Sequence, residues 1–157
     1  VALSTTIKSV QDIMRKDVGV DGDAQRIGQL VWLLFLKIWD DREQELELME
    51  DDFSSPLVNV TWRENGDVKK AADLRWSAWA TDPEGITGSK LLDFVDGTLF
   101  PALKGMELGP IVEGDDADAK AAKALRSRRL LVRGIFEDAY QYMKSGTLLR
   151  QVVNKVQ

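Results

Sequence analysis

The residues of this 157-residue chain best placed to do chemistry are cations. Between Ala119 and Phe136 there is no acid, while Lys120, Lys123, Arg126, Arg128, Arg129 and Arg133 all occur. On a helix, Arg126, Arg129 and Arg133 fall within about 60° of one another, opposite an apolar face. With Lys123 they form an array suited to phosphates, which attract arginine and lysine without regard to base sequence. Overall charge hides this: residues 1–118 carry a balance of −12 and residues 119–157 one of +7. Such asymmetry points to a local anionic partner even in an acidic chain. Two other readings compete. The 120–133 helix could contact an acidic protein surface, or the arginines could be a solvated face. A helix-turn-helix with Asp17 to Asp23 as its turn fails, because the helix that follows is too apolar for a major groove.

Catalysis finds little to work with. A reaction site needs a nucleophile, a tuned acid or base, or a metal. With no histidine and no cysteine, the usual general base, thiolate ligands and disulfides are excluded. Carboxylates pair at Asp40-Asp41, Asp51-Asp52 and Asp115-Asp116, but each pair lies in a run that reads as solvated surface, without the burial a tuned carboxylate needs. Asp21-Gly-Asp23 lacks the other ligands of a calcium loop and reads as a helix cap. No Gly-x-Gly turn, Gly-Lys-Ser/Thr loop or Asn-Pro-Pro-aromatic motif is present, so no nucleotide or adenosyl cradle is expected. We expect no catalytic, cofactor-binding or metal-ligating residue in this chain.

The elements that must position the cations follow from periodicity. From Leu30 to Trp39 the only polar side chain is Lys37, and a helix apolar all round is buried on most sides. Ten residues are too few to span a bilayer, which takes about 20, and acids follow at once. This is the central helix, expected from Ala24 to about Glu50, with Asp21 or Asp23 as cap and Phe53-Ser-Ser-Pro56 as its break. Lys37 is expected to pack its stem and reach a carboxylate or carbonyl; the alternative is a lysine held for a partner surface. A first amphipathic helix covers roughly Ser4 to Lys16. Leu57 to Trp62 reads as a short strand before the turn Glu64-Asn-Gly-Asp67. Its hairpin partner would be Leu74 to Trp79, although Trp76 and Trp79 at i, i+3 fit a helical turn equally well.

Thr87 or Ser89 caps the next helix, which runs through Leu91, Phe94 and Leu99 to Pro101–Gly105. Residues 105–118 read as an internal linker or exposed loop. Asp118 caps the basic helix, whose apolar face holds Leu125, Val132, Ile135, Phe136 and Ala139. Arg128 falls among these and is expected to pair with an acid or to mark the edge of the stripe. Ser145-Gly146 ends that segment, and Thr147 opens a last helix through Leu148, Leu149, Val152 and Val153. The expected fold is mainly α, a bundle-like single domain over residues 1–157 of about five helices with at most a small hairpin. A domain this size buries about 70% of its extended surface. The N-terminus has no basic, apolar and small-residue series of a signal peptide, so a cytoplasmic location is the default expectation, with no membrane contact.

The order of these features resembles the N-terminal helical domain of the modification subunit of type I restriction–modification DNA methyltransferases. Leu34-Phe-Leu-Lys-Ile-Trp-Asp40 is similar to that family's Leu-Phe-Leu-Lys-aromatic-x-Asp signature, departing from it in Ile38-Trp39. Asp21-Gly-Asp-Ala-Gln-Arg26 leads into it. Arg75-Trp76-Ser77, Leu91-Leu-Asp-Phe94, Phe136-Glu-Asp138 and Gly146-Thr-Leu-Leu149 follow in the family's order. The resemblance implies methyl transfer from S-adenosylmethionine to N6 of adenine in duplex DNA, with the cofactor and catalytic motifs in a domain that would follow Gln157. It implies accessory work for this domain: assembly with a specificity subunit, a second modification subunit and a motor-nuclease restriction subunit, and clamping of double-stranded DNA. The candidate DNA-binding residues are Lys123, Arg126, Arg129 and Arg133.

Overall fold

A computed structural model describes residues 2–157. Helices α1 (Ala2–Met14) and α2 (Gly22–Met49) precede an antiparallel hairpin, β1 (Val58–Glu64) and β2 (Asp67–Asp73). A single helical turn, α3 (Trp76–Trp79), leads to α4 (Gly88–Phe94), a π-helical turn (Val95–Leu99) and α5 (Phe100–Gly105). These last three run on without a break. After an irregular loop come α6 (Ala117–Phe136) and α7 (Gly146–Val156). Five long helical segments and one hairpin make the mainly α architecture expected.

The core lies where α2 meets the rest. Trp32, Leu33 and Leu36 are buried, and the Trp32 ring meets Phe100 edge-on at 4.9 Å. Yet α2 is not covered all round: Ile27, Val31 and Ile38 are 54%, 55% and 63% exposed. Its 28 residues run about 42 Å, longer than any neighbour, and an apolar stripe on its outer side stays exposed. Lys37 does as expected, its stem half-buried and its ammonium 3.0 Å from Asp41.

The hairpin corrects the sequence reading of its second strand. Asn65 and Gly66 both have positive φ (52° and 84°), the two-residue type I′ turn that matches strand twist. So tight a turn starts the return strand at Asp67, and Leu74 to Trp79 becomes a buried connection plus the α3 turn. Thr61 pairs with Lys70 and Trp62 with Lys69, while Val60, Trp62 and Ala71 face the core.

The π turn has a local cause. Pro101 lacks an N–H and its ring opposes the carbonyl four residues back, so the helix widens immediately before it. Of the expected caps, that of α6 shifts. Asp21 occupies the N-cap of α2 without a side-chain bond, Thr87 does the same for α4, and Asp116 rather than Asp118 caps α6, accepting from the Ala119 N–H at 2.8 Å. Asp118 instead sits in the first turn, where it complements the helix dipole. At the other end α6 stops at Phe136, well short of Ser145, because Lys104 takes up the carbonyls of Phe136 and Glu137 at 2.8 and 3.1 Å. Ala139 therefore lies beyond the helix, and Ile135 is 40% exposed rather than buried with Val132 and Phe136.

Candidate nucleic-acid interface

The four candidate cations lie along α6, and each is held in the same way. Lys123 donates to the Gly114 carbonyl at 2.6 Å, and Arg126 to Gly109 at 2.7 Å. Arg129 donates to Val58 at 3.1 Å and Asn59 at 3.5 Å, and Arg133 to Met106 at 3.2 Å. These bonds strap the 106–114 loop and the start of β1 to the helix. Among the described residues none of the four forms an ion pair, although Arg15, Arg26, Lys37, Arg42, Arg63, Arg75 and Arg128 all do. A carbonyl fixes a guanidinium without cancelling its charge, and an arginine has further donors to offer. The side chains are thus ordered in advance and still electropositive.

Arg126 and Arg129 line an open cleft of about 500 Å³ with Thr61, Glu107, Leu108 and Gly109. Burial holds the Arg129 guanidinium below the ordinary arginine value, and its Nε is buried without a partner. Arg133 faces a separate hollow with Lys104, Leu130 and Glu137. Arg128 is engaged elsewhere, 3.8 Å from Glu50 with its guanidinium 4.7 Å over the Phe53 ring. That meets the expectation of an acidic partner.

A second group of charged residues was missed. Asp40, expected on solvated surface, is 3% exposed, and Glu43 is 2% exposed. Glu43 accepts from Trp39 Nε1 at 2.6 Å and from Ser55 Oγ at 2.8 Å, and Asp40 accepts from Ser77 Oγ at 3.0 Å. Burial raises the Glu43 carboxyl above the ordinary glutamate value, against the lowering pull of Ser55, Trp39 and Arg75. Arg75 bonds Asp73 and Glu47; hydrogen bonding to Asp73 raises its own pKa. Burial works to raise Asp73, but the bonds from Arg75 outweigh it and hold that carboxyl low. This network joins the Asp40 end of the α2 signature to Arg75-Trp76-Ser77. The signal was present in the sequence: Gln29, Leu33, Leu36, Asp40 and Glu43 follow one i, i+4, i+7 stripe, so the polar pair continues the buried face.

Three further polar residues act as internal braces. Asp17 accepts from the backbone N–H groups of Gly19, Lys144 and Ser145. Gln29 accepts from the Tyr142 N–H. Arg150 donates to the carbonyls of Trp79, Ala80 and Ile86, and burial lowers its pKa against the pull of Asp82. Among the described residues no group of histidine, cysteine or carboxylate side chains is arranged to hold a metal, and no helix is long and apolar enough to cross a membrane.

Fold and site together define a mainly helical domain: an internally braced bundle that presents one cationic helix and leaves an apolar stripe exposed. The HsdM N-terminal domain family matches residues 3–156, and the chain belongs to that family. The type I restriction enzyme EcoEI methylase subunit of Escherichia coli is 48% identical over 155 residues, covering 99% of this chain and 26% of that protein. A crystal structure from Vibrio vulnificus YJ016, described as the modification subunit of a type I restriction enzyme, superposes with a TM-score of 0.72 at 32% identity, over 99% of this chain and 30% of that one. The chain thus spans about a quarter of the length of the curated relative it matches.

Proposed function

We propose that this domain serves a type I adenine-N6 DNA methyltransferase subunit as its DNA-clamping and assembly module. On this reading S-adenosylmethionine and the methyl-transfer residues belong to a following domain. The partners are the specificity subunit, a second modification subunit, the motor-nuclease restriction subunit and double-stranded DNA. Methylating a base inside a duplex requires extruding it, so the DNA must be gripped while the base leaves the stack. One observation carries the clamping role: Lys123, Arg126, Arg129 and Arg133 are pinned by carbonyls and not neutralised by carboxylates. From Lys123 to Arg133 the helix axis runs about 15 Å, the length of about four phosphates of one strand. Pre-ordered side chains also lose less entropy on binding.

The assembly role has its own support. Val31, in the exposed stripe of Ile27, Val31 and Ile38, lines a hollow with exposed Ile135 and Tyr140 and with Tyr142. Such a seam suits a protein contact. A pure protein-interaction domain, without DNA contact, is the second reading. Replacing Arg126, Arg129 and Arg133 with glutamine in the assembled enzyme separates the two. The slope of log affinity against log salt should fall by about 2 to 3, equally for cognate and unrelated duplex. An unchanged slope would sink the clamping role, and subunits that no longer assemble would favour the protein-contact reading.

A further inference from the structure

We propose that the β1–β2 hairpin is the second wall of the DNA-holding cleft, with Arg63 and Lys70 gripping the same phosphate strand as Arg126 and Arg129. The inference rests on the clamping reading and extends it to an element whose cations that reading did not include. Thr61 joins the two walls. It lines the cleft beside Arg126 and Arg129, and it is paired across the ladder with Lys70. Side chains alternate along a strand, and Val60, Trp62 and Ala71 are buried on the core side. Arg63 and Lys70 therefore share the outer face with Thr61.

The two walls are fixed relative to each other. Arg129 bonds the carbonyls on both sides of the Val58–Asn59 junction, where Asn59 takes a positive φ of 52°. Glu107 N–H donates to the Thr61 carbonyl at 2.8 Å, tying the intervening loop to the strand. Arg126 and Arg129 line the cleft on the helix side, and Arg63 and Lys70 stand beside Thr61 on the hairpin side. Glu107 is its one acid, 3.9 Å from Arg63, with the two side chains 43% and 65% exposed. So long and solvated a pair is weak, and Arg63 loses little by exchanging it for a phosphate. Four cations against one carboxylate, open to solvent and with no base-reading element, suit a phosphodiester backbone.

The test is a duplex titration across a salt series with the full-length subunit in its enzyme assembly. Two labelled duplexes are used, one with and one without the recognition site. R63Q/K70Q should lower the salt slope by about 1 to 2, so that between 50 and 200 mM salt it loses roughly tenfold less affinity than the parent. Both duplexes should be affected alike. Melting should be unchanged, because both side chains are solvent-facing. K8Q/K16Q, on exposed α1-side lysines, removes the same charge elsewhere and should leave the slope alone. If R63Q/K70Q leaves the slope unchanged while the α6 triple variant lowers it, the hairpin proposal fails and the clamping reading stands. If neither lowers it, both fail. An equal fall in K8Q/K16Q would reduce the effect to net charge and overturn the proposal, and so would loss of subunit assembly with DNA affinity intact.

Discussion

Replacing Asp17 with alanine should unfold this domain about 10 °C earlier than its parent. The residue sits in the turn between α1 and α2, only 3% exposed. Its carboxylate accepts from the N–H groups of Gly19 at 2.8 Å, Lys144 at 2.9 Å and Ser145 at 2.9 Å. Ser145 is itself the cap of α7, so one side chain seats the last helix against the first turn. A hydrogen bond to a charged group contributes about 1.5–3 kcal/mol. Three such bonds would sum to more than the loss expected, because Gly19 and Lys144 are open enough for water to replace part of each. A net loss of about 3–5 kcal/mol follows, against a total stability of about 5–15 kcal/mol for a domain. At about 2–4 °C per kcal/mol for this size, melting should fall by about 10 °C. Urea titration followed by tryptophan fluorescence reads this directly, with an unchanged slope on denaturant showing that the denatured state is unaltered. Asp12→Ala removes an exposed ion pair with Arg15 and should cost less than about 1 kcal/mol. An Asp17→Ala variant no less stable than Asp12→Ala would refute the bracing argument.

Glu43 and Gly146 give two further predictions. The folded pKa of Glu43 is raised above its ordinary 4.5 by burial, so the native state binds the extra proton. Its contribution to stability is present at lower pH and is lost as pH rises through the folded value. Glu43→Gln should flatten that part of the pH–stability curve; a curve of unchanged shape in the variant would mean the carboxyl is not desolvated as described. At Gly146 an added methyl would lie 1.8 Å from the Gly88 carbonyl oxygen. Gly146→Ala should therefore destabilise by 3 kcal/mol or more, about the upper range for overpacking, by forcing α7 off α4. Parent-like urea midpoints would show that this backbone contact is not close.

Much of the architecture was legible because helices announce themselves through period and punctuation. The 105–118 loop and the Asn65-Gly66 turn were readable from glycine, proline and asparagine alone. The second strand was not, since Asp67 to Asp73 carries little β-branched character and only the turn geometry compels its pairing. The cation stripe of α6 was visible on a helical wheel, but its tethering was not: bonds to backbone carbonyls of the 106–114 loop leave no trace in side-chain chemistry. Asp40 was misread because adjacent acids look solvated. Asp41 does face water and Lys37, while Asp40, one residue earlier, turns into the protein toward Ser77. Asp17 and Arg150 gave no sign of bracing either, since Lys144 and Ser145 for the one and Trp79, Ala80 and Ile86 for the other offer main-chain atoms far along the chain.

The pairing of α1 with α7 sets a timetable for synthesis. α1 buries Val10 and Met14 and rests chiefly on the last helix. At about 5–20 residues per second, α7 leaves the ribosome about 7–30 s after α1. A helix of 13 residues is marginal by itself in water, so through that interval the first segment has neither stable structure nor cover for its apolar side. Closure of the domain is then the last event of its folding, and a ribosome stalled before Ser145 would present an open core to chaperones and proteases rather than a smaller folded bundle.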